Sequence, residues 1–226
     1  MLHTFWSVKG GSGVTVTAAM YAGWIARRDG PTTVVDLCGD QPAALGIAEP
    51  NGAGWSDWLA TPDGSRAALD RLVVPVHGRL SLLPRGSASA WPLARIPDLV
   101  DAFLARTRVV VDAGTIERRS GAGVAGPGDD RSGLLDALGE AGRTTLVLRP
   151  CYLAMRRATA VAAQVDDLVV VNEPGRSLTP RDVAEVLGIR LLATFELDPA
   201  VARSVDAGLL VRRTNRAIER TLRTAS

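Results

Sequence analysis

Cysteine is scarce in this chain of 226 residues, which contains two. Cys38 and Cys151 lie far apart, and each is embedded in an apolar run. Small secreted proteins that depend on disulfides carry more cysteines at short spacings. The sequence therefore predicts two free, buried thiols in a reducing compartment and excludes a disulfide scaffold.

Long apolar runs are also lacking. No run approaches the roughly 20 residues that a membrane-spanning helix needs. The first residues lack the charged segment, apolar segment and small-residue cleavage site of a secretory signal. We therefore expect a cytoplasmic protein.

Neither sign of charge dominates, because 26 basic residues oppose 24 acidic residues and leave a net charge of +2. This balance does not require nucleic acid or an anionic membrane as a partner, and it does not exclude a locally basic face. Residues 212–223 combine arginines with apolar residues near helical spacing, which indicates either a solvated helix face or a surface for nonspecific DNA. They lack the bulky apolar face of a membrane-binding helix, so membrane anchoring is not expected.

Histidine is as rare as cysteine, and His3 and His77 have no Cys, Asp or His at ligand spacing. A transition-metal site is therefore not predicted. Lysine is rarer still, since Lys9 is the one lysine among 26 Lys and Arg residues. It lies in a glycine-rich segment, so either its chemistry is required there or it has been retained by chance.

Short β-rich runs alternate with helical patterns along the whole chain. The predicted strands span residues 2–8, 32–37, 80–84, 108–112, 144–148, 168–172 and 190–195. The predicted helices span residues 15–28, 65–72, 92–106, 132–142, 153–164, 179–187, 199–207 and 211–223. Strands that are apolar on both faces and precede helices are typical of a parallel sheet covered on both sides. We therefore expect a single α/β domain over residues 1–226, doubly wound, with about seven or eight mostly parallel strands.

Two segments break this alternation. Residues 42–58 hold Gly, Pro and two tryptophans, and residues 118–131 form a polar, glycine-rich loop. Trp55 and Trp58 are spaced as one face of a short helix, which predicts core or dimer-interface residues; a partner-binding patch is the alternative.

The segment K-G-G-S-G-V-T at residues 9–15 follows a predicted strand and precedes a predicted helix. Glycines let backbone N–H groups turn inward, and the helix N-terminus adds partial positive charge, so this context favours phosphate. Thr15 would offer its hydroxyl to Mg²⁺ in the first helical turn. A purely geometric strand-to-helix turn is the alternative.

The same segment resembles the K-G-G-x-G-K-T phosphate loop of the ParA/MinD family of deviant Walker ATPases. Lys9 matches the early lysine, which in that family reaches across a nucleotide-sandwich homodimer to the partner's phosphates. Val14 departs from the pattern, because the second lysine stands there in the family. This departure resembles the CpaE/TadZ branch, in which that lysine is often replaced.

Further matches extend over most of the chain. Asp36 resembles the family's catalytic aspartate, Asp112 the Walker B carboxylate that holds Mg²⁺ through water, and Asn172 the asparagine that meets adenine. The resemblance implies nucleotide contacts from Gly10, Gly11, Ser12, Gly13, Val14, Thr15, Val16, Asp112 and Asn172. Each match also has a simpler interpretation, since Asp or Asn at a strand end can cap the following turn.

The resemblance implies a P-loop NTPase fold and an ATP/ADP- and Mg²⁺-dependent dimeric switch that positions a pilus, a septum or a chromosome. Protein cargo or a polar landmark would be its partner. Because a phosphate-contacting lysine is missing, we expect slow hydrolysis or none. Two alternatives remain open: a scaffold that dimerises without nucleotide turnover, and a partitioning ATPase that binds DNA nonspecifically.

Overall fold

The structure, a computed structural model, describes residues 1–116, 131–212 and Thr221. The strands are β1 Leu2–Ser7, β2 Thr32–Asp36, β3 Val74–His77, β4 Leu80–Leu83, β5 Val109–Thr115, β6 Arg143–Leu148, β7 Asp167–Asn172 and β8 Arg190–Glu196. They form one eight-stranded sheet in the order β3-β4-β2-β5-β1-β6-β7-β8. All described pairs are parallel except β3 with β4, so the predicted sheet is confirmed.

The strand that the sequence analysis missed is β3. Its four residues, V-P-V-H, alternate between partial burial and exposure, and the strand ends at a turn where Gly78 adopts φ 58°. Proline cannot donate to a sheet ladder and is tolerated at an edge strand. A short edge strand with Pro75 therefore has too weak a pattern to be recognised in the sequence.

The described residues contain nine α-helices. They are α1 Val14–Arg28, α2 Gln41–Leu45, α3 Trp55–Ala60, α4 Arg66–Arg71, α5 Ile96–Leu104, α6 Arg131–Ala141, α7 Tyr152–Thr159, α8 Pro180–Leu187 and α9 Pro199–Asp206. All except α2 and α3 lie close to predicted helices. Two predicted helices are shorter than expected, because 3-10 turns at Leu93–Arg95 and Ala162–Gln164 occupy one end of each.

Residues 42–58 are more ordered than the sequence predicts, because they contribute to α2 and α3. Trp55 and Trp58 are both buried in the core, which confirms the packing interpretation of this helix face. Cys38 and Cys151 are free thiols, each half-buried rather than fully buried. The loop predicted at residues 118–131 and the helix predicted at residues 211–223 lie outside the described residues, apart from Arg131, Val211, Arg212 and Thr221.

Alternate residues of the central strands face two separate apolar layers. Val35, Val109 and Val111 pack on the side covered by α3 to α8, whereas Val34 and Val110 pack on the side covered by α1, α2 and α9. The sheet is thus covered on both faces. None of the described helices is long and apolar enough to cross a membrane.

Candidate functional site

Three neighbouring strands bring the candidate residues to one edge of the sheet. Parallel strands β2, β5 and β1 lie side by side, and Asp36 at the end of β2 pairs in register with Asp112 of β5. Asp112 in turn pairs with Phe5 of β1, whose strand runs directly into the glycine loop. Ligands of open α/β sheets bind at this carboxyl edge.

The loop that follows β1 is shaped by glycine and by internal hydrogen bonds. Gly11 and Gly13 adopt φ 75° and 89°, which side chains other than glycine rarely accept. Ser7 and Ser12 both donate their hydroxyls to Lys9 O, at 3.1 and 2.7 Å, and hold the loop from inside. A Cβ added at Gly11 would meet no atom within 4 Å, so the outside of the loop faces open space.

Helix α1 begins at this loop without a capping side chain. Its N-cap is Gly13, which offers no side-chain hydrogen bond, and the first turn contains no acidic residue. The first N–H groups of a helix have no partner within it, and together with the helix dipole they favour an anion. The start of α1 therefore has the electrostatics of a phosphate site.

The environments of Lys9 and Val14 differ. These are the two positions at which the K-G-G-x-G-K-T pattern carries lysine. Val14 is 5% exposed and packs in the apolar layer beneath α1. Lys9 is half-exposed, and its ammonium group donates to Gly10 O at 3.4 Å. The position of the second lysine in the K-G-G-x-G-K-T pattern thus belongs to the core here, and the loop's own cation is Lys9.

A second cation lies at the beginning of the loop. Arg157 of α7 donates from Nη1 to Val8 O at 3.1 Å, and its side chain is half-buried. The sequence analysis missed this residue, because nothing near it in the sequence relates it to the loop. Its charge adds to the positive potential beside Lys9.

Asp112 and Gln41, both fully buried, form a polar cluster with the half-buried Thr15 next to the loop. The pKa of Asp112 is raised to about 6: burial and the neighbouring Asp36 charge raise it, and hydrogen bonds from Gln41, Thr15 and Gly114 act against the rise. Gln41 Nε2 donates to Asp112 Oδ2 at 2.9 Å and to Thr15 O at 3.0 Å. No role is predicted for Gln41 from the sequence; its position between the Asp36 turn and Pro42 was the available signal.

The cluster fits a hydrated magnesium ion. Mg²⁺ prefers hard oxygen ligands, keeps several waters and is bound through one or two carboxylates plus phosphates. Thr15 and Asp112 supply such oxygens, and Gln41 Oε1 is a buried acceptor without a hydrogen-bond partner in the described residues. Those residues contain no cluster of three or more His, Cys, Asp or Glu that could hold a metal, so an all-protein cage is absent from them.

The carboxylate of Asp36 caps the turn that follows β2. Its side chain is fully buried, Oδ1 accepts from Cys38 N and Gly39 N at 3.0 and 2.7 Å, and Oδ2 accepts from Gln41 N at 3.0 Å. Burial raises the pKa of this carboxyl, and the three N–H groups act against the rise. The turn-capping interpretation is thus observed, whereas orienting a water remains a prediction for this residue.

Asn172 directly follows Val171, which lines an apolar cavity of about 280 Å³ that adjoins the loop. Its Nδ2 donates to both carboxylate oxygens of Glu196 at 3.0 Å. The walls include residues from the loop, α1, β7, β8 and α9, among them Gly13, Val16, Val171, Glu196 and Val205. Of the predicted nucleotide contacts, Gly13 and Val16 therefore lie together at this cavity, which has the size and apolar lining of a slot for a flat ring.

Five of the residues predicted from the sequence fall into three groups in the structure. Gly13 and Thr15 lie at the start of α1, Asp36 and Asp112 are paired on neighbouring strands, and Asn172 lies at the end of β7. The wall residues of β8 and α9 carry no sequence motif, and the sequence analysis did not find them.

No protein-family model and no curated protein matches this sequence. Solved structures do resemble it in three dimensions. The septum site-determining protein MinD of Pyrococcus horikoshii, complexed with Mg-ADP, superposes with a TM-score of 0.72 at 18% identity over 99% of this chain and 93% of that one. MinD of Aquifex aeolicus gives 0.72 at 15% identity over 100% and 95%. A ParA-family ATPase of Chlorobium tepidum gives 0.71 at 18% identity over 100% and 99%. The chain therefore has the α/β fold of the MinD and ParA-family ATPases.

Proposed function

We propose that this protein binds ADP and ATP with Mg²⁺ at the loop of residues 9–15 and works as a nucleotide-dependent dimeric switch with slow hydrolysis or none. The observation that carries the proposal is the uncapped start of α1 beside Thr15 and Asp112, where Gly11 of the loop faces open space. The fold neighbour that contains Mg-ADP supports the choice of ligand.

Each part of the nucleotide has a counterpart in the described residues. The N–H groups of the loop and of the first turn of α1 would hold phosphate oxygens, and the cavity beside Gly13 and Glu196 would hold the base. Thr15 and Asp112 would hold Mg²⁺, the latter through water. When bound, the ion would neutralise charge on the phosphates.

Slow or absent hydrolysis follows from two residues. The side chain of Val14 has no group that can donate to a phosphate, and it is packed in the core. Asp36 would have to release backbone N–H groups before it could orient a water. Loss of one preorganised donor costs roughly 3 kcal/mol of transition-state stabilisation.

Lys9 is the residue on which dimerisation would depend. Its side chain is half-exposed, and Gly11, two residues further along the loop, faces open space. We propose that it reaches the phosphates bound by a second copy of the chain, in a cytoplasmic homodimer that positions a pilus, a septum or a chromosome through a protein cargo or polar landmark.

A scaffold that dimerises without nucleotide turnover is the second candidate. The burial of Val14 favours it, because the loop has lost a phosphate ligand and gained an apolar contact in its place. The uncapped helix start and the Thr15–Asp112–Gln41 cluster favour nucleotide binding instead.

Titration calorimetry with ADP and ATP, in Mg²⁺ and in EDTA, separates these functions. We expect Mg²⁺-dependent binding, and light scattering should show a dimer in ATP for the wild type and Lys9→Arg but a monomer for Lys9→Ala. Arg176→Ala, which removes an exposed, ion-paired cation, is the matched control. Absence of binding at millimolar nucleotide would leave the scaffold. If the wild type hydrolyses ATP, a rate that is unchanged in both Lys9→Ala and Asp36→Ala would overturn the mechanism.

A further inference from the structure

Gln41, the first residue of α2, is fully buried, and its side-chain orientation is determined by its neighbours. Nε2 lies 3.0 Å from Thr15 O and 2.9 Å from Asp112 Oδ2. Both neighbours are hydrogen-bond acceptors, so the NH₂ group must face them and an amide flip would set oxygen against oxygen. Oε1 therefore points away from these two contacts.

Oε1 is an acceptor that still requires a donor. It is buried and accepts no hydrogen bond from the described residues. The nearby Thr15 hydroxyl is already engaged with Asp112. A buried carboxamide oxygen is normally satisfied by protein or by ordered water, so water is the donor that fits beside this cluster.

The backbone of Gln41 connects the same cluster to the Asp36 turn. Gln41 N donates to Asp36 Oδ2 at 3.0 Å, while its side chain donates to Asp112. One residue thus spans the two carboxylates that pair across β2 and β5.

We propose that Gln41 is a positioning residue for Mg²⁺, and that its Oε1 accepts a hydrogen bond from a water of the ion held by Thr15 and Asp112. This inference rests on the proposed nucleotide function and adds to it the residue that couples metal to nucleotide. Nε2 orients the Asp112 carboxylate, and Oε1 orients the water. Partners of this kind beyond the direct ligands change metal affinity roughly 10- to 100-fold.

The test compares the affinity for ADP in Mg²⁺ with the affinity in EDTA. The ratio of these two affinities measures the coupling between Mg²⁺ binding and ADP binding. Gln41→Met has a similar length and no hydrogen-bonding group, and Gln164→Met makes the same change at an exposed position remote from the site. We expect the coupling to fall roughly tenfold in Gln41→Met, with affinity in EDTA retained, and to be unchanged in Gln164→Met.

Two outcomes would overturn the proposal: an unchanged coupling in Gln41→Met, or an equal loss of affinity in Mg²⁺ and EDTA, which is the result of a purely structural role. If circular dichroism shows that Gln41→Met is unfolded, Gln41→Asn replaces it, because the shorter side chain cannot keep both groups in place and should also lower the coupling. A wild type that binds no ADP would overturn the proposed function as well, whereas binding with intact coupling in both Gln41 variants would overturn this inference alone.

Discussion

Asp36 and Asp112 pair across neighbouring parallel strands, and both side chains are fully buried. They are nevertheless stabilised differently. Asp36 accepts three backbone N–H groups of its own turn, whereas Asp112 is bonded by Gln41 and Gly114 and has a pKa raised by burial to about 6. Two adjacent buried carboxylates attract a cation. Asp112 is the one that would hold it, because it accepts fewer backbone N–H groups than Asp36.

Asp36→Ala should destabilise the fold as well as affect any activity. Removing the carboxylate leaves three N–H groups of the turn without their acceptor, which costs on the order of 3 kcal/mol. Urea unfolding measures this loss. Asp40→Ala is the matched control, because Asp40 is exposed and its side chain makes no capping bond. Equal stability of the two variants would contradict the turn-capping role.

Val14→Lys should tighten nucleotide binding by restoring a cation at the loop. A charge-assisted hydrogen bond to phosphate corresponds to a gain of roughly tenfold or more in affinity. The same change removes an apolar side chain from the core, so the thermal midpoint should fall. Val14→Met disturbs the packing without adding charge, and it should not increase affinity. If Val14→Lys folds and binds ADP no more tightly than the wild type, the loop is not a phosphate site.

Stability should decrease as the pH falls from 6.5 towards 4 because of His3. Burial lowers the pKa of His3 to about 4, so the folded state keeps the ring neutral, with bonds to Thr145 and Tyr21, while the unfolded state takes up a proton. The contribution of His3 is complete above pH 6.5 and loses about 3 kcal/mol by pH 4.

Asp112 acts in the opposite direction, since a carboxyl with a raised pKa takes up its proton more readily in the folded state. The contribution of His3 is therefore isolated by comparing urea unfolding of the wild type with that of His3→Gln at each pH. His77→Gln, at an exposed position, should keep the wild-type dependence. An identical dependence in His3→Gln would contradict the assignment.

The apolar cavity can be tested separately from the loop. Val205→Trp on α9 fills the cavity, so affinity for ADP should fall roughly tenfold while affinity for tripolyphosphate, which has no base, is unchanged. Arg203→Trp places the same ring on the same helix outside the cavity lining and should alter neither. If the two Trp variants bind ADP equally well, the base does not occupy this cavity.

Much of the fold was predictable from local patterns. Apolar, β-branched runs such as V-V-V-D at residues 109–112 identified the strands, because strands buried on both faces need them. The glycine loop at residues 9–15 was equally recognisable, since the curled backbone requires glycine wherever φ is positive. The weak edge strand β3 was missed because its pattern was short and interrupted by Pro75.

The sequence by itself predicted the mostly parallel sheet, the glycine loop after β1 and the position of Asp36 at the end of β2. Its prediction that a strand ends at Asp112 is wrong, because β5 continues to Thr115. The tertiary structure alone decided what those residues touch. Gln41 reaches Asp112 across 71 positions of sequence only because β2 and β5 are neighbours. Likewise, Val14 is buried in the apolar layer that α1 forms with the sheet, and the cavity beside Glu196 is lined jointly by α1, β7, β8 and α9. The spacing of apolar residues in the sequence shows which face of one helix or strand is buried. It does not show which elements are neighbours, and these contacts depend on that.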